Sequence, residues 1–143
     1  MGEVPVDILR KKMELRKKLL AMDAPAKFRQ FIPYVNPSYQ RKWFHEEIAD
    51  RCQKLLEGKI RNLMVFMPPQ HGKSEIVSRS FPAFALGYNP DFKIVGCSYS
   101  ATLAQQFSRS IQRIMDSREY SAIFPDTCLN GSNVRTVTRG YLR

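Results

Sequence analysis

The chain is 143 residues long, enough for one modest domain with a real core, and its 43% hydrophobic and 25% charged content excludes a fibrous or disordered class. Lys and Arg outnumber Asp and Glu by 23 to 13, a net charge of +10, which makes a polyanion such as nucleic acid or an anionic membrane surface the natural class of partner beside the plainer reading of a basic, solubilising surface. No stretch nears the apolar length of a membrane span, the acids Glu3, Asp7 and Glu14 exclude a signal peptide, and Cys52, Cys97 and Cys128 lack metal or disulfide spacing, so reduced thiols in a cytoplasmic protein are expected.

From Val6 to Met22, Ile8, Leu9, Met13, Leu15, Leu19 and Leu20 recur at spacings of three and four, with Arg10, Lys11, Lys12, Arg16, Lys17 and Lys18 between them. The spacing predicts a basic amphipathic helix, read as a solvated helix packed on the domain in preference to a direct DNA contact. Pro25, Pro33 and Pro37 mark 23–37 as a connector, because each removes a donor and restricts the residue before it. Residues 1–37 thus form an N-terminal basic helix and proline-containing connector, and 38–143 the main unit. A second helix is expected after Ser38 as N-cap, carrying Trp43 and Phe44 as core anchors with Ile48, Cys52, Leu55 and Leu56, and stopping at Gly58.

Asn62 to Met67 is a mainly apolar run without polar alternation, as expected of a strand buried on both faces of a parallel sheet. Pro68 and Pro69 break it, and Ser74 to Leu86 is helix-compatible, ending near Gly87 and Asn89-Pro90. Phe92 to Ser98 repeats the buried-strand pattern, and Ser100 caps a helix from Ala101 to about Asp116 with Leu103, Phe107, Ile111, Ile114 and Met115 inward. Asn133 to Thr138 offers at best one more strand. Strand, helix, strand, helix predicts an α/β fold: a parallel sheet with flanking helices, preceded by N-terminal helices.

Gly72-Lys73-Ser74 sits at the junction of the first strand pattern and the following helix. The first turn of a helix carries unpaired amides and the positive end of the dipole, so an anion is stabilised there. Gly72 allows the backbone close to a phosphate, Lys73 can reach the outer phosphates of a nucleotide, and the Ser74 hydroxyl suits Mg²⁺. The full G-x-x-x-x-G-K-[ST] pattern, the Walker A loop, is not met, because Met67 stands at the position of its first glycine.

The run Met67-Pro68-Pro69-Gln70-His71-Gly72-Lys73-Ser74-Glu75 resembles the P-P-R-H-G-K-S-E phosphate loop of the large terminase subunits of tailed bacteriophages. Ser78 to Gly87 with Asn89-Pro90, Ser98 to Ala104 running into Phe107-Ser108-Arg109, and Arg118-Glu119-Tyr120 to Phe124-Pro125 resemble the same family, so that the likeness covers about Phe31 to Leu129. It implies an incomplete P-loop NTPase: the N-terminal portion of an ATP-binding motor, with ATP and Mg²⁺ as cofactors, that drives double-stranded DNA into a procapsid in an infected or lysogenic bacterial cell. By the same resemblance its partners are the portal protein and the small terminase subunit, in an oligomeric ring, with no membrane.

Residue by residue, the resemblance assigns nucleotide contacts to Pro69, Gln70, His71, Gly72, Lys73, Ser74 and Glu75, a catalytic role to Lys73 and Mg²⁺ to Ser74. Upstream, Tyr39-Gln40 with His45 is similar to a family segment in which a glutamine reads adenine. Gln40 has the amide donor and acceptor for this, and a surface position in the first turn of a helix accounts for it as readily. Gln70 departs from the family, since a neutral amide replaces an arginine able to stabilise charge on a transferring phosphoryl group; Arg79 is a poor substitute lying beyond the loop. No apolar strand ending in paired acids follows Ser74, so the Mg²⁺-holding and water-positioning carboxylates and the nuclease domain of the family are not encoded here. The expectation is weak nucleotide binding without appreciable turnover. Another helicase-type or DNA-translocating ATPase fragment, or a non-catalytic basic DNA-binding fragment, are the rival readings.

Overall fold

The computed structural model describes residues 6–24, 26–127 and 129. Six α-helices and one π-helical stretch make up its regular structure: α1 (Val6–Asp23), α2 (Phe28–Val35), α3 (Trp43–Leu56), the π-helix Glu75–Ser80, α4 (Phe81–Tyr88), α5 (Ala101–Met115) and α6 (Arg118–Ile123). The centre belongs to the short helix α2, which touches α1, α3, α4 and α6. Phe28, Phe31 and Ile32 on α2 are buried against Phe84 of α4, Tyr120 of α6 and Phe124. Their rings meet at tilted and edge-on angles, with Phe31 6.1 Å from Tyr120 and 5.3 Å from Phe84, geometries that aromatic quadrupoles favour.

The position of α2 corrects the expectation that 23–37 is a connector. Pro33 lies inside this helix, and its missing amide orphans the carbonyl of Arg29 one turn earlier. Arg41 supplies the lost donor: its Nη2 lies 3.3 Å from that carbonyl and 2.7 Å from Gln30 Oε1. At the other end, the Phe28 amide donates to Gln53 Oε1 of α3 at 3.0 Å. Side chains from outside α2 therefore repair both weak points of a helix whose own sequence would not sustain it.

The helix α3 begins at Trp43, later than a cap at Ser38 would place it, and Ser38 Oγ instead donates to Asn36 Oδ1 at 2.7 Å. It ends as expected. Gly58 adopts φ +71°, its amide reaches the Leu55 carbonyl at 3.1 Å, and the Lys59 amide reaches that of Lys54 at 2.9 Å, the paired bonds of a Schellman stop. Trp43 is 81% exposed and anchors no core.

The expected parallel sheet is absent from the described residues. Among the described residues there is no strand: 62–68 and 92–98 run without helix or ladder, and the helices after them pack on one another and on α2 rather than across a sheet. The segment 62–68 does alternate. Leu63, Val65 and Met67 pack against the core, whereas Met64 and Phe66 are 81% and 88% exposed, so a single face is covered. In 92–98 even Ile94 and Val95 are exposed. The α/β fold, with its incomplete P-loop sheet, is thereby replaced by a helical assembly carrying two unpaired apolar segments. An apolar run states what wants burial, but a ladder also needs a neighbour in register, which no local pattern guarantees. The strand expected at Asn133 to Thr138 and the third cysteine, Cys128, lie outside the described residues. Cys52 is buried and Cys97 exposed.

Candidate phosphate-binding loop

Residues 69–72 turn the chain from the extended segment into a helical run that spans 73–88. Two left-handed residues make the turn, Gln70 at φ +63° and Gly72 at φ +78°. A left-handed glycine costs little, whereas a left-handed glutamine is held there by its surroundings. The Ile76 amide reaches the Gly72 carbonyl at 3.2 Å and closes the first turn, so Lys73 and Ser74 occupy the mouth of the helix. Of the expected junction between a buried strand and a helix, the glycine turn and the helix start are present and the strand is not.

The run 73–88 is not a plain α-helix. Between Glu75 and Ser80 it widens to π geometry, and the Phe81 amide bonds back to the Ile76 carbonyl, five residues earlier. The cause is Pro82, which has no amide for the Ser78 carbonyl and whose ring would press on it; a wide turn beforehand relieves that conflict.

His45 holds the loop to α3. Its Nε2 lies 2.9 Å from the His71 carbonyl, and its Nδ1 lies 3.3 Å from the Gln40 carbonyl. The ring is buried, with Phe44 4.4 Å and Tyr39 5.4 Å away between centroids. Gly72 leaves the room that this ring fills, since a Cβ there would stand 3.0 Å from Nε2. The His71 side chain turns back on its own loop, Nδ1 lying 2.8 Å from the Pro69 carbonyl.

The candidate residues are thus brought together through one imidazole. Gln40 approaches the loop by its backbone, with an exposed side chain. Pro69, Gln70 and His71 are exposed, and Lys73 is half-buried with no carboxylate at ion-pair distance among the described residues. Ser74 is exposed. Glu75 is engaged elsewhere: Arg79 Nη1 donates to its Oε2 at 2.8 Å, which draws both side chains along the helix and away from its mouth. That pairing removes Arg79 as a stand-in for a loop arginine.

Beside the loop, Tyr39, Arg41, His45, Glu46 and Arg29 help line a cavity of about 10 Å³, the size of one water and far too small for a base. Burial pushes the Tyr39 hydroxyl up to about 12, against the opposing pull of Arg41 and with the help of Glu75 and Glu46. The apolar cleft of about 260 Å³ between Leu55, Leu56, Phe81, Ala85 and Ile94 lies further along the helix, away from its mouth. Sequence reasoning named His45 only beside Tyr39-Gln40 in an upstream segment and gave it no function; its two part-buried carbonyl contacts make it the positioning residue of the site. The signal available was an imidazole on the inward stripe of α3 beside Ile48, Ala49 and Cys52.

What the turn offers a phosphate group is a left-handed glycine, the mouth of a helix and a Lys73 ammonium with no carboxylate at ion-pair distance among the described residues. For Mg²⁺ the helix mouth presents the Ser74 hydroxyl, and no group of three His, Cys, Asp or Glu side chains capable of holding a metal occurs among the described residues. Such an ion would depend on phosphate oxygens and water for its other ligands. Among the described residues no helix is long and apolar enough to cross a membrane. Comparisons with protein-family models, curated proteins and solved structures found no match.

Proposed function

We propose that this chain carries the nucleotide-binding loop of a phage large-terminase motor, which uses ATP to move double-stranded DNA into a procapsid. The observation that carries the reading is the conjunction at residue 72: a left-handed glycine, wedged against His45, that opens directly into a helix whose first turn bears Lys73 and Ser74. The likeness of residues 67–75 to the terminase loop gives the cradle its nucleotide and its motor. ATP supplies the transferable phosphoryl group. Gly72 admits the phosphates to the backbone, Lys73 offsets their charge and the Ser74 hydroxyl takes one position on Mg²⁺. Gln70 adds a neutral amide and no cation, and the described residues hold no group of three metal-ligating side chains, so binding without sustained turnover is the expected activity. The net charge of +10 suits phosphate contacts that ignore sequence, as DNA packaging requires. Portal protein, small terminase subunit and a ring of copies are further parts of the proposal.

Filter binding with labelled ATP and Mg²⁺ tests it, comparing the natural chain with Lys73→Ala. Retention that falls about tenfold or more in the variant supports the proposal. Equal retention by the two proteins, or none by either, defeats it.

A further inference from the structure

Trp43 opens α3 with 81% of its surface exposed, so at least one face of the indole is bare. Its aromatic neighbour among the described residues is Phe44, whose ring it meets at 5.7 Å and 84°. Phe44 in turn meets the loop, 6.1 Å from the His71 ring and 4.4 Å from the imidazole of His45 that fixes it. The two steps of 5.7 Å and 6.1 Å put the indole no more than about 12 Å from the His71 ring, two residues before Lys73. The Lys42 ammonium stands 5.9 Å from the centre of the Phe44 ring, so the aromatic bridge between indole and loop carries a positive charge as well.

We propose that Trp43 is the platform on which the base of a bound nucleoside triphosphate stacks, with the phosphates running past Phe44 to Gly72 and Lys73. The inference rests on the reading of that loop as a nucleotide site and adds the place of the base. The cavity beside the loop has room for one water, so a base held next to these phosphates lies on the outer surface. There an exposed indole face binds a flat heterocycle, because stacking removes apolar area of both partners from water. The residues beside Trp43 in sequence and one helical turn on, Gln40, Lys42 and Glu47, are polar and exposed. The bare ring is therefore not the edge of a larger apolar stripe on α3, as a docking face for a protein would require. Every base has a π-face, so Trp43 contributes affinity for the base and leaves the choice among bases to other groups.

Trp43 is the single tryptophan of the chain, so its fluorescence reports the contact directly. Titration of the full chain with ATP and Mg²⁺ is expected to quench it saturably, whereas inorganic tripolyphosphate, which has the phosphates and no base, binds without quenching. Trp43→Ala should weaken retention of labelled ATP about fivefold or more and leave retention of labelled tripolyphosphate unchanged. Trp43→Phe, which keeps a ring, should recover much of the loss. Far-ultraviolet dichroism is expected to be the same for all three proteins, since the side chain is exposed. Retention of neither ligand by the natural chain defeats the loop reading and this inference together. Retention of both, with Trp43→Ala affecting ATP and tripolyphosphate alike or with ATP bound but no quenching, overturns the inference alone. So does quenching by ATP that persists in Lys73→Ala, or quenching by a single-stranded oligonucleotide that ATP does not displace, either of which separates the ring from the loop.

Discussion

His45 and Gly72 occupy one shared space: the imidazole Nε2 lies 3.0 Å from the point where a Cβ on residue 72 would stand, and the same nitrogen holds the His71 carbonyl at 2.9 Å. A Cβ at 72 would require the ring that fixes the loop to give by a few tenths of an ångström. Gly58, at φ +71°, has no atom within 4 Å of its virtual Cβ and isolates the conformational part of the cost. Gly58→Ala is expected to destabilise by about 1 kcal/mol, and Gly72→Ala by about 2 kcal/mol or more with loss of ATP retention. Urea denaturation of both variants measures this, and equal losses would show that the His45 contact carries no energy.

A second close approach lies in the core. A Cβ on Gly87 would run into the Phe124 ring, at 2.7 Å from its Cγ among other overlaps, and the ring is hemmed in by Phe31, Phe84 and Tyr120. Gly87→Ala, a gain in helix propensity on an open surface, should here cost about 1–3 kcal/mol by overpacking. Adding Phe124→Leu should recover part of that loss, a coupling that a double-mutant cycle reads directly.

Removing the guanidinium of Arg41 strands the carbonyl that Pro33 left open. Arg41→Ala also deletes the contact with Gln30 and the ion pair with Glu46 at 3.6 Å, and should cost about 1–3 kcal/mol. Combining it with Pro33→Ala restores an amide for the Arg29 carbonyl, so the double variant should be less damaged than the sum of its parts. Thermal unfolding of the four proteins decides.

Alkaline pH should unfold the protein through its buried acids. Burial pushes the Cys52 thiol from 9.0 up to about 12 and the Tyr39 hydroxyl from 10.0 up to about 12. In both cases the native state keeps the proton that the unfolded chain gives up more easily. Stability is therefore intact below pH 9 and falls as pH rises from there towards 12. Cys52 should contribute on the order of 1 kcal/mol per pH unit within that window. The urea midpoint of Cys52→Ala, lower at neutral pH because of the cavity it leaves, should decline less steeply with pH than that of the natural chain.

What could be read in advance was local. Helices α1, α3 and α5 follow from apolar spacing, whereas α6, begun by Ser117 accepting the Tyr120 amide at 3.2 Å, is a separate helix that the spacing did not announce. The Gly72 turn and helix mouth follow from three consecutive residues. The misreadings concern residues whose fate depends on distant partners. Pro33 argues against helix until Arg41 is seen to answer for it, and Val65 argues for a sheet although no neighbouring segment supplies a ladder. Trp43 fits the apolar stripe of α3, yet nothing sits over it.

The widened turns from Glu75 to Ser80 act as a rotational spacer between two sets of demands. Upstream, Lys73 and Ser74 must point at the helix mouth; downstream, Phe81 and Phe84 must point at α2. In an unbroken α-helix each residue advances the azimuth by about 100°, so deleting a single residue within 75–80 would swing one set of side chains off target by roughly that angle. The extra residue accommodated before Pro82 thus sets the bearing of the loop relative to the aromatic cluster, independently of any side chain in either.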